Sequence, residues 1–159
     1  ISCQLHVKIW LGKKYKLIFS ENFDEFMKAL GVGLITRKAA SAVTPTVELR
    51  KDGDTYNLVT SSTFKTTEVK FKPGEEFDEE RADGAKVKSV CTLEGNTLKQ
   101  VQKSADGLEI TYIREFGPEE MKAVSILLTL TTIIICNPRP KRVILCRSVK
   151  LALFPIDTD

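Results

Sequence analysis

The chain of 159 residues has one histidine, His6, and four cysteines, none of them in Cys-x-x-Cys spacing. A Ser-His-Asp or Cys-His mechanism would have to recruit His6, and a zinc site would have no second imidazole to draw on. We therefore expect neither an enzyme, nor a metal site, nor a cofactor. The cysteine spacing predicts free thiols in a reducing compartment rather than a disulfide framework.

The chain also lacks a strong charge bias and a long apolar run. Its net charge is +3, with 28% charged residues of both signs, which is not a composition typical of nucleic-acid-binding proteins. The uncharged run from Ala123 to Cys136 is fourteen residues long, whereas a membrane-spanning helix needs about 20. Lys8 interrupts the first apolar run, so we expect no secretory signal and a cytoplasmic protein without a nucleic-acid partner.

From Thr46 onward, apolar and polar residues alternate with period two in segments about ten residues apart. Turn signals separate these segments at Asp52-Gly53, Pro73-Gly74, Gly95-Asn96 and Asp106-Gly107. This pattern predicts an antiparallel all-β meander, either a barrel or a sandwich. The length and the 42% hydrophobic content suit a single domain spanning residues 1–159.

A helical signal precedes the meander. Ser20 or Asn22 is expected to be the N-cap of a first helix whose first turn carries acidic residues. The apolar stripe of that helix consists of Phe23, Phe26, Met27 and Leu30, and such a stripe must lie on an apolar surface. A glycine turn at 31–33 leads to a second short helix over 34–42, so that the two helices form a hairpin.

Nine positions near the start of the chain form a specific motif: Lys13, Tyr15, Leu17, Asn22, Phe23, Asp24, Phe26, Met27 and Leu30. In residue type and spacing this motif resembles the signature of the intracellular lipid-binding proteins, the fatty-acid-binding protein family. Further matching segments are Gly31–Gly33, Thr36–Lys38, Ser62–Lys65, Gly74–Glu79, Ala82–Gly84, Lys86–Ser89 and Arg114–Phe116. The resemblance covers about Lys13 to Met121, and Lys14-Tyr15 gives it an invertebrate character.

The resemblance implies a fold and a function. The fold is a lipocalin-like (calycin) up-and-down antiparallel β-barrel of about ten strands, capped by the helix-turn-helix. The function is intracellular binding and transport of long-chain fatty acids or related amphipathic lipids in the barrel cavity, by a monomer. The alternative is a protein of this fold with weak or lost lipid binding that acts through membrane or protein surface contacts.

A lipid carboxylate inside a barrel needs a buried cation, and arginine suits it best because its planar guanidinium can bind two oxygens at once. The resemblance assigns this role to Arg114, with Tyr112 on the same strand face. Strand parity leaves open whether Arg114 points inward or pairs outside with Glu109 or Glu115, because both faces are partly apolar. Further ligand-lining or entrance positions implied by the family are Phe23, Met27, Thr36, Ala40, Pro45, Phe64, Ala82 and Asp83. Phe64 is either a gate or an aromatic side chain that covers its turn.

The resemblance fails beyond Met121. The family's last strand carries an Arg-x-Tyr motif that also holds the carboxylate, and this chain has none. Arg147 is the nearest stand-in, and its alternative is a surface arginine in a basic tail. Residues 122–159 could supply a replacement hairpin, with one strand before the Pro-rich break at 137–140 and another over 143–154, or they could form an appendage to the barrel.

Three basic residues of the helical segment, Lys28, Arg37 and Lys38, could contact anionic membranes, where each basic residue near the surface contributes about 1 kcal/mol. The alternative is an ordinary solvated face.

Overall fold

The computed structural model describes residues 8–81, 83–128 and 130–137. His6, Ala82, Arg147 and the predicted strand at 143–154 lie outside the described residues. The predictions made for them therefore remain predictions.

The described residues form ten strands and two helices. In chain order the elements are β1 (Lys14–Glu21), α1 (Phe23–Ala29), α2 (Leu34–Ala42), β2 (Thr46–Asp52), β3 (Thr55–Ser61), β4 (Thr66–Phe71), β5 (Glu76–Glu80), β6 (Lys86–Glu94), β7 (Thr97–Ser104), β8 (Glu109–Phe116), β9 (Met121–Leu127) and β10 (Leu130–Asn137). The turns predicted at Gly53, Gly74, Gly95 and Gly107 all separate strands, and each of these glycines has a positive φ.

The strands form one antiparallel sheet in the order β4-β3-β2-β1-β10-β9-β8-β7-β6-β5. Each strand pairs with its neighbour in the chain, except that β4 and β5 have no ladder between them. Because β1 pairs with both β2 and β10, the meander closes on itself as a barrel. The predicted all-β up-and-down barrel with a helical cap is confirmed.

The helical hairpin follows the sequence signals closely. Asn22 is the N-cap of α1, and its φ of 58° lies in the left-handed region that asparagine tolerates. The alternative N-cap, Ser20, belongs to β1. Arg37 ties the two helices together, since Nε donates to Asp24 Oδ1 at 3.0 Å and Nη1 donates to the Val32 carbonyl at 2.8 Å. Neither described helix is both long and apolar enough to cross a bilayer.

The barrel is closed by a hairpin that sequence reasoning placed elsewhere. The apolar run 123–136 was expected to be one strand ending at the Pro-rich break, but it belongs to two strands, β9 and β10, with a turn at Leu128 (φ 54°). That expectation was wrong because fourteen extended residues would span about 46 Å, far more than barrel strands of seven or eight residues require. The turn contains neither glycine nor proline, so it gave no signal. Membership of residues 138–159 in the same domain stays a prediction.

Two apolar clusters fill the ends of the barrel. The base cluster contains Trp10, Tyr15, Leu49, Tyr56, Leu58, Phe71, Cys91, Leu98, Phe116, Met121, Ala123 and Cys136. The cap cluster contains Phe26 of α1 with Ile110 and Leu127, and Leu30, Leu108, Tyr112 and Leu130 pack against it. The helices therefore cover one end of the barrel, the helical end, and the base cluster closes the other.

The start of the signature motif has a structural role at the base. Tyr15 is fully buried; its hydroxyl donates to the Gly117 carbonyl at 2.7 Å, and its ring meets Phe116 edge-on at 5.8 Å. Lys13 Nζ donates to the Pro118 carbonyl at 2.9 Å. These contacts fasten the β8–β9 turn to the start of β1, about 100 residues earlier in the chain.

We expect Tyr15→Phe to lower the free energy of unfolding by about 1–2 kcal/mol, because the substitution leaves the Gly117 carbonyl unpaired beside a buried ring. Urea unfolding followed by circular dichroism measures the change. The matched control is Tyr56→Phe, which alters another core phenol that has no hydrogen-bond partner among the described residues. Equal losses in the two variants would show that the Tyr15 hydrogen bond does not stabilise the fold.

Candidate ligand-binding site

The inward face of β8 is buried at its ends and partly open in its middle. Ile110 is 0% exposed and Phe116 is 1% exposed, yet Tyr112 and Arg114 between them are only half-buried. A strand face packed against a solid core would be most buried in its middle. The pattern therefore indicates a space inside the barrel, between the base and cap clusters, that Tyr112 and Arg114 line.

The Arg114 side chain points into this space. Its Nη1 donates to Gln100 Oε1 at 3.1 Å, and its Cζ lies 5.2 Å from the centroid of the Tyr112 ring. Glu109 pairs with Lys103 on the outer face instead, with 3.3 Å between Lys103 Nζ and Glu109 Oε2. The inward alternative for Arg114 is thus the one that the structure adopts.

The guanidinium of Arg114 is surrounded by protein, but few negatively charged groups lie near it to balance its charge. Burial lowers its pKa below the usual value, although the Tyr112 phenol, the thiols of Cys91 and Cys136 and the Glu79 carboxylate act in the opposite direction. Arginine nevertheless remains protonated at neutral pH. No carboxylate in the described residues forms a salt bridge with it. An anion placed in this space would therefore be stabilised.

A neutral glutamine connects Arg114 to an interior acid. Glu79 Oε2 accepts hydrogen bonds from Ser89 Oγ at 2.6 Å, Gln100 Nε2 at 2.9 Å and Gln102 Nε2 at 3.0 Å. Gln100 thus donates to Glu79 with its amide nitrogen and accepts from Arg114 with its amide oxygen. This bridge fixes the orientation of Gln100 and holds the guanidinium in place.

Buried polar residues form a belt between the two apolar clusters. Its members are Ser89, Gln100, Gln102, Ser125 and Thr132, each at most 5% exposed. Gln102 Oε1 and Thr132 Oγ1 have no hydrogen-bond partner among the described residues. Such unpaired groups destabilise a fold by about 1–3 kcal/mol each, so the belt lowers the stability of the barrel.

Sequence reasoning did not identify the polar belt, although a signal was present. In β7, Lys99 and Lys103 occupy the positions of one strand face, and Gln100 and Gln102 occupy the other. Because lysines face solvent, the glutamines must point inward. The two acids Glu109 and Glu115 mark the outer face of β8 in the same way, which would have settled the orientation of Arg114.

The predicted helix residues differ in their approach to this site. Met27 is 7% exposed and Phe23 is half-buried. Phe26, which the sequence suggested only as a packing residue, meets the Tyr112 ring edge-on at 6.4 Å and so covers the chamber from above.

The remaining predicted lining positions do not converge on Arg114. Thr36 is exposed, Ala40 and Pro45 are half-buried, and Phe64 is 81% exposed on the β3–β4 turn. Asp83 lies on the β5–β6 turn and forms an ion pair with Arg81. Because alternate turns of the meander share one end of the barrel, both turns lie at the helical end, around the edge of the cap. Phe64 does not cover its own turn, since its ring extends into solvent.

β10, the last strand among the described residues, has no cation at the position where the resemblance places the family's second anchor. Its inward positions are Thr132, Ile134 and Cys136, and the pairing register places Ile134 in one row with Ala123 and Arg114. Burial raises the pKa of the Cys91 and Cys136 thiols to about 12 each. Both therefore stay neutral, and Arg114 is the cation that the described interior offers at this level.

No group of three His, Cys, Asp or Glu side chains within the described ranges could hold a metal ion.

Among the three basic residues predicted to contact membranes, Lys28 and Lys38 are exposed. The Arg37 side chain is 13% exposed and is bound to Asp24.

Comparison with known proteins agrees with this architecture. The model of the lipocalin / cytosolic fatty-acid binding protein family matches residues 11–131. A fatty acid-binding protein of Tyrophagus putrescentiae is 47% identical over 126 residues, which are 79% of this chain and 95% of that protein.

Two solved structures extend the likeness to three dimensions. The fatty acid-binding protein from Drosophila melanogaster brain tissue is 49% identical, with a TM-score of 0.77 over 80% of this chain and 98% of that one. A Schistosoma mansoni fatty acid binding protein in complex with arachidonic acid is 39% identical, with a TM-score of 0.77 over 82% of this chain and 96% of that one. The chain therefore belongs to the lipocalin / cytosolic fatty-acid binding protein family.

Proposed function

We propose that this protein binds a long-chain fatty acid or a related amphipathic lipid inside the barrel and carries it through the cytosol unchanged. The observation that carries the proposal is the interior guanidinium of Arg114, which donates to a neutral glutamine and forms no salt bridge with a carboxylate of the described residues. The relatives named as fatty acid-binding proteins support it.

The chamber meets both requirements of such a ligand. A carboxylate removed from water is stable only beside a partner charge or several donors. Arg114 offers its remaining N–H groups, and the Tyr112 hydroxyl, which has no partner among the described residues, offers one more. The acyl chain can lie against the base and cap clusters, where each buried methylene contributes about 0.8 kcal/mol.

Catalysis finds no support in the same chamber. The thiols of Cys91 and Cys136 have pKa values of about 12, so they are poor nucleophiles at neutral pH. The family to which the chain belongs consists of binding proteins, which accords with a carrier.

The helical end is the proposed entrance. Met27, Phe23 and Asp83 lie around its edge, and Phe64 extends from the β3–β4 turn into solvent. Passage between α2 and these turns would bring Thr36, Ala40 and Pro45 into contact with the acyl chain. Ala82 and Arg147 remain proposals that rest on sequence alone.

The same end suits transient contact of a monomer with anionic membranes. Four large apolar side chains there are exposed: Leu34 at 56%, Ile35 at 86%, Phe64 at 81% and Leu128 at 83%. Lys28 and Lys38 are exposed on the two helices beside them. Apolar side chains that enter the lipid interface next to lysines that attract anionic head groups are typical of peripheral membrane binding.

We expect Arg114→Met to weaken fatty-acid binding about tenfold to a hundredfold, because it removes a charge-assisted hydrogen bond contributing about 1.5–3 kcal/mol. The measurement is displacement of a fluorescent fatty acid from delipidated protein. Arg50→Met is the matched control, since Arg50 pairs with Glu48 and its side chain is 51% exposed on the outer face.

Unchanged affinity in Arg114→Met would contradict the proposed head-group site. Absence of displacement from the native protein would contradict lipid carriage altogether. It would favour the alternative that the fold acts through membrane or protein surface contacts.

We expect Lys28→Gln together with Lys38→Gln to reduce binding to vesicles containing phosphatidylserine by as much as about thirtyfold, given about 1 kcal/mol per basic residue. Cosedimentation with vesicles at low ionic strength measures the change. The control replaces Lys70 and Lys99, exposed on the barrel wall, by glutamine. An equal reduction in both pairs would mean that net charge, not the helical end, governs binding.

A further inference from the structure

A second arginine, Arg81, is buried at the helical end of the barrel. It follows β5, and the turn after it closes through hydrogen bonds from Arg81 N to the Ala85 carbonyl and from Gly84 N to the Arg81 carbonyl, both at 2.8 Å. Its side chain is 8% exposed. Arg81 lies two residues after Glu79, and side chains two residues apart in a strand point to the same face. The Glu79 carboxylate lies inside the barrel, so Arg81 is expected on the inner face as well.

One edge of the Arg81 guanidinium is fully engaged. Nε donates to Asp83 Oδ1 at 2.8 Å and Nη2 donates to Asp83 Oδ2 at 2.6 Å. The hydrogen bonds from Arg81 lower the pKa of Asp83 and, in return, raise the pKa of Arg81. Asp83 therefore stays ionised, and it neutralises the charge of Arg81.

The other edge of the guanidinium has no partner among the described residues. Nη1 points away from Asp83 and is buried, and it makes no hydrogen bond within the described residues. The pair of Arg50 and Glu48 on the outer wall has the same i, i+2 arrangement, with hydrogen bonds of 2.8 and 2.9 Å. Because the Arg50 side chain is 51% exposed, water can satisfy its remaining nitrogen. A buried donor without a partner is costly, which singles out Arg81 Nη1.

Interior hydrogen bonds connect the strand that leads to Arg81 with the proposed fatty-acid site, because Glu79, two residues before Arg81, accepts from Gln100, which in turn accepts from Arg114. Burial raises the pKa of Tyr112, while the charges of Arg114 and Arg81 both act to lower it. Both guanidinium charges thus act on the same phenol, and Arg114 Cζ lies 5.2 Å from the centroid of its ring. They differ in charge compensation, because Arg114 contacts neutral Gln100 and Arg81 contacts ionised Asp83.

We infer that Arg81 Nη1 forms a second polar subsite. It donates a hydrogen bond to a neutral oxygen on the chain of a fatty acid whose carboxylate lies at Arg114. Nη1 can only donate, so its partner must be an acceptor. Asp83 already neutralises Arg81, so a keto, hydroxyl or epoxide oxygen fits there better than a second carboxylate. The ligand class is thus an oxygenated long-chain fatty acid, and this inference rests on the proposed function.

Binding of stearate and of a panel of positional ketostearates tests the inference, with displacement of a fluorescent fatty acid as the readout. We expect at least one positional isomer to bind the native protein about tenfold more tightly than stearate. The double variant Arg81→Met with Asp83→Asn removes the pair without leaving a lone charge. In this variant the preferred ketostearate and stearate should bind with about equal affinity. The matched control, Arg50→Met with Glu48→Gln, should retain the preference in full.

A second variant covers the case in which the double variant does not fold. Arg81→Lys keeps a positive charge beside Asp83 but lacks the far edge of the guanidinium, so it should also lose the preference. Thermal unfolding of every variant establishes which of them to compare.

The outcomes separate this inference from the proposed function. If stearate binds and depends on Arg114, but no ketostearate binds more tightly than stearate, the second subsite is refuted and the carrier function stands. Retention of the preference in the Arg81 variants refutes the subsite as well. If the native protein binds neither acid, the proposed function fails and the subsite fails with it.

Discussion

The hydrogen bond between Arg114 and Gln100 is the interaction on which the interior of this protein depends. It holds a positive charge inside a barrel whose described residues offer that charge no carboxylate partner, and Gln100 in turn is held by Glu79. Unfolding would let water solvate that charge, so the guanidinium is a cost that the rest of the fold must offset. The apolar clusters at the two ends provide the compensating stability. The outcome is a chamber whose charge is ready for an anion.

The base of the barrel shows how the chain maintains such a chamber. Trp10 stacks on Phe116 with 5.3 Å between ring centroids, and Tyr15 hydrogen-bonds to the neighbouring Gly117. Contacts so distant in sequence fasten the β8–β9 turn to the first strand. Arg114 lies two residues before Phe116 on β8, so the same contacts that close the base also fix the strand that carries the guanidinium. The first two residues of the signature motif, Lys13 and Tyr15, thus stabilise the site from the base without contacting it.

The missing Arg-x-Tyr motif changes the chemistry of the chamber. The last described strand, β10, presents Thr132, Ile134 and Cys136 to the interior, so the wall that continues the row of Arg114 is largely apolar. A second guanidinium occurs instead at the helical end, where Asp83 neutralises Arg81. Under the two proposals, the unneutralised arginine would bind a carboxylate and the neutralised arginine would bind a neutral oxygen. The selectivity of this protein would then differ from that of relatives with two cationic anchors.

Much of the fold could be read from the sequence, because period-two alternation, glycine turns and the nine-residue motif are local signals. They predicted the barrel, the limits of the second helix and Arg114 as the candidate site. The hairpin turn at Leu128 was decided by tertiary structure, because that turn contains neither glycine nor proline. Apolar alternation alone did not reveal the inner face of β8, because both of its faces are partly apolar, whereas the charged residues Glu109 and Glu115 do mark its outer face. The polar belt joins side chains from β5, β6 and β7, which only the closure of the sheet brings together.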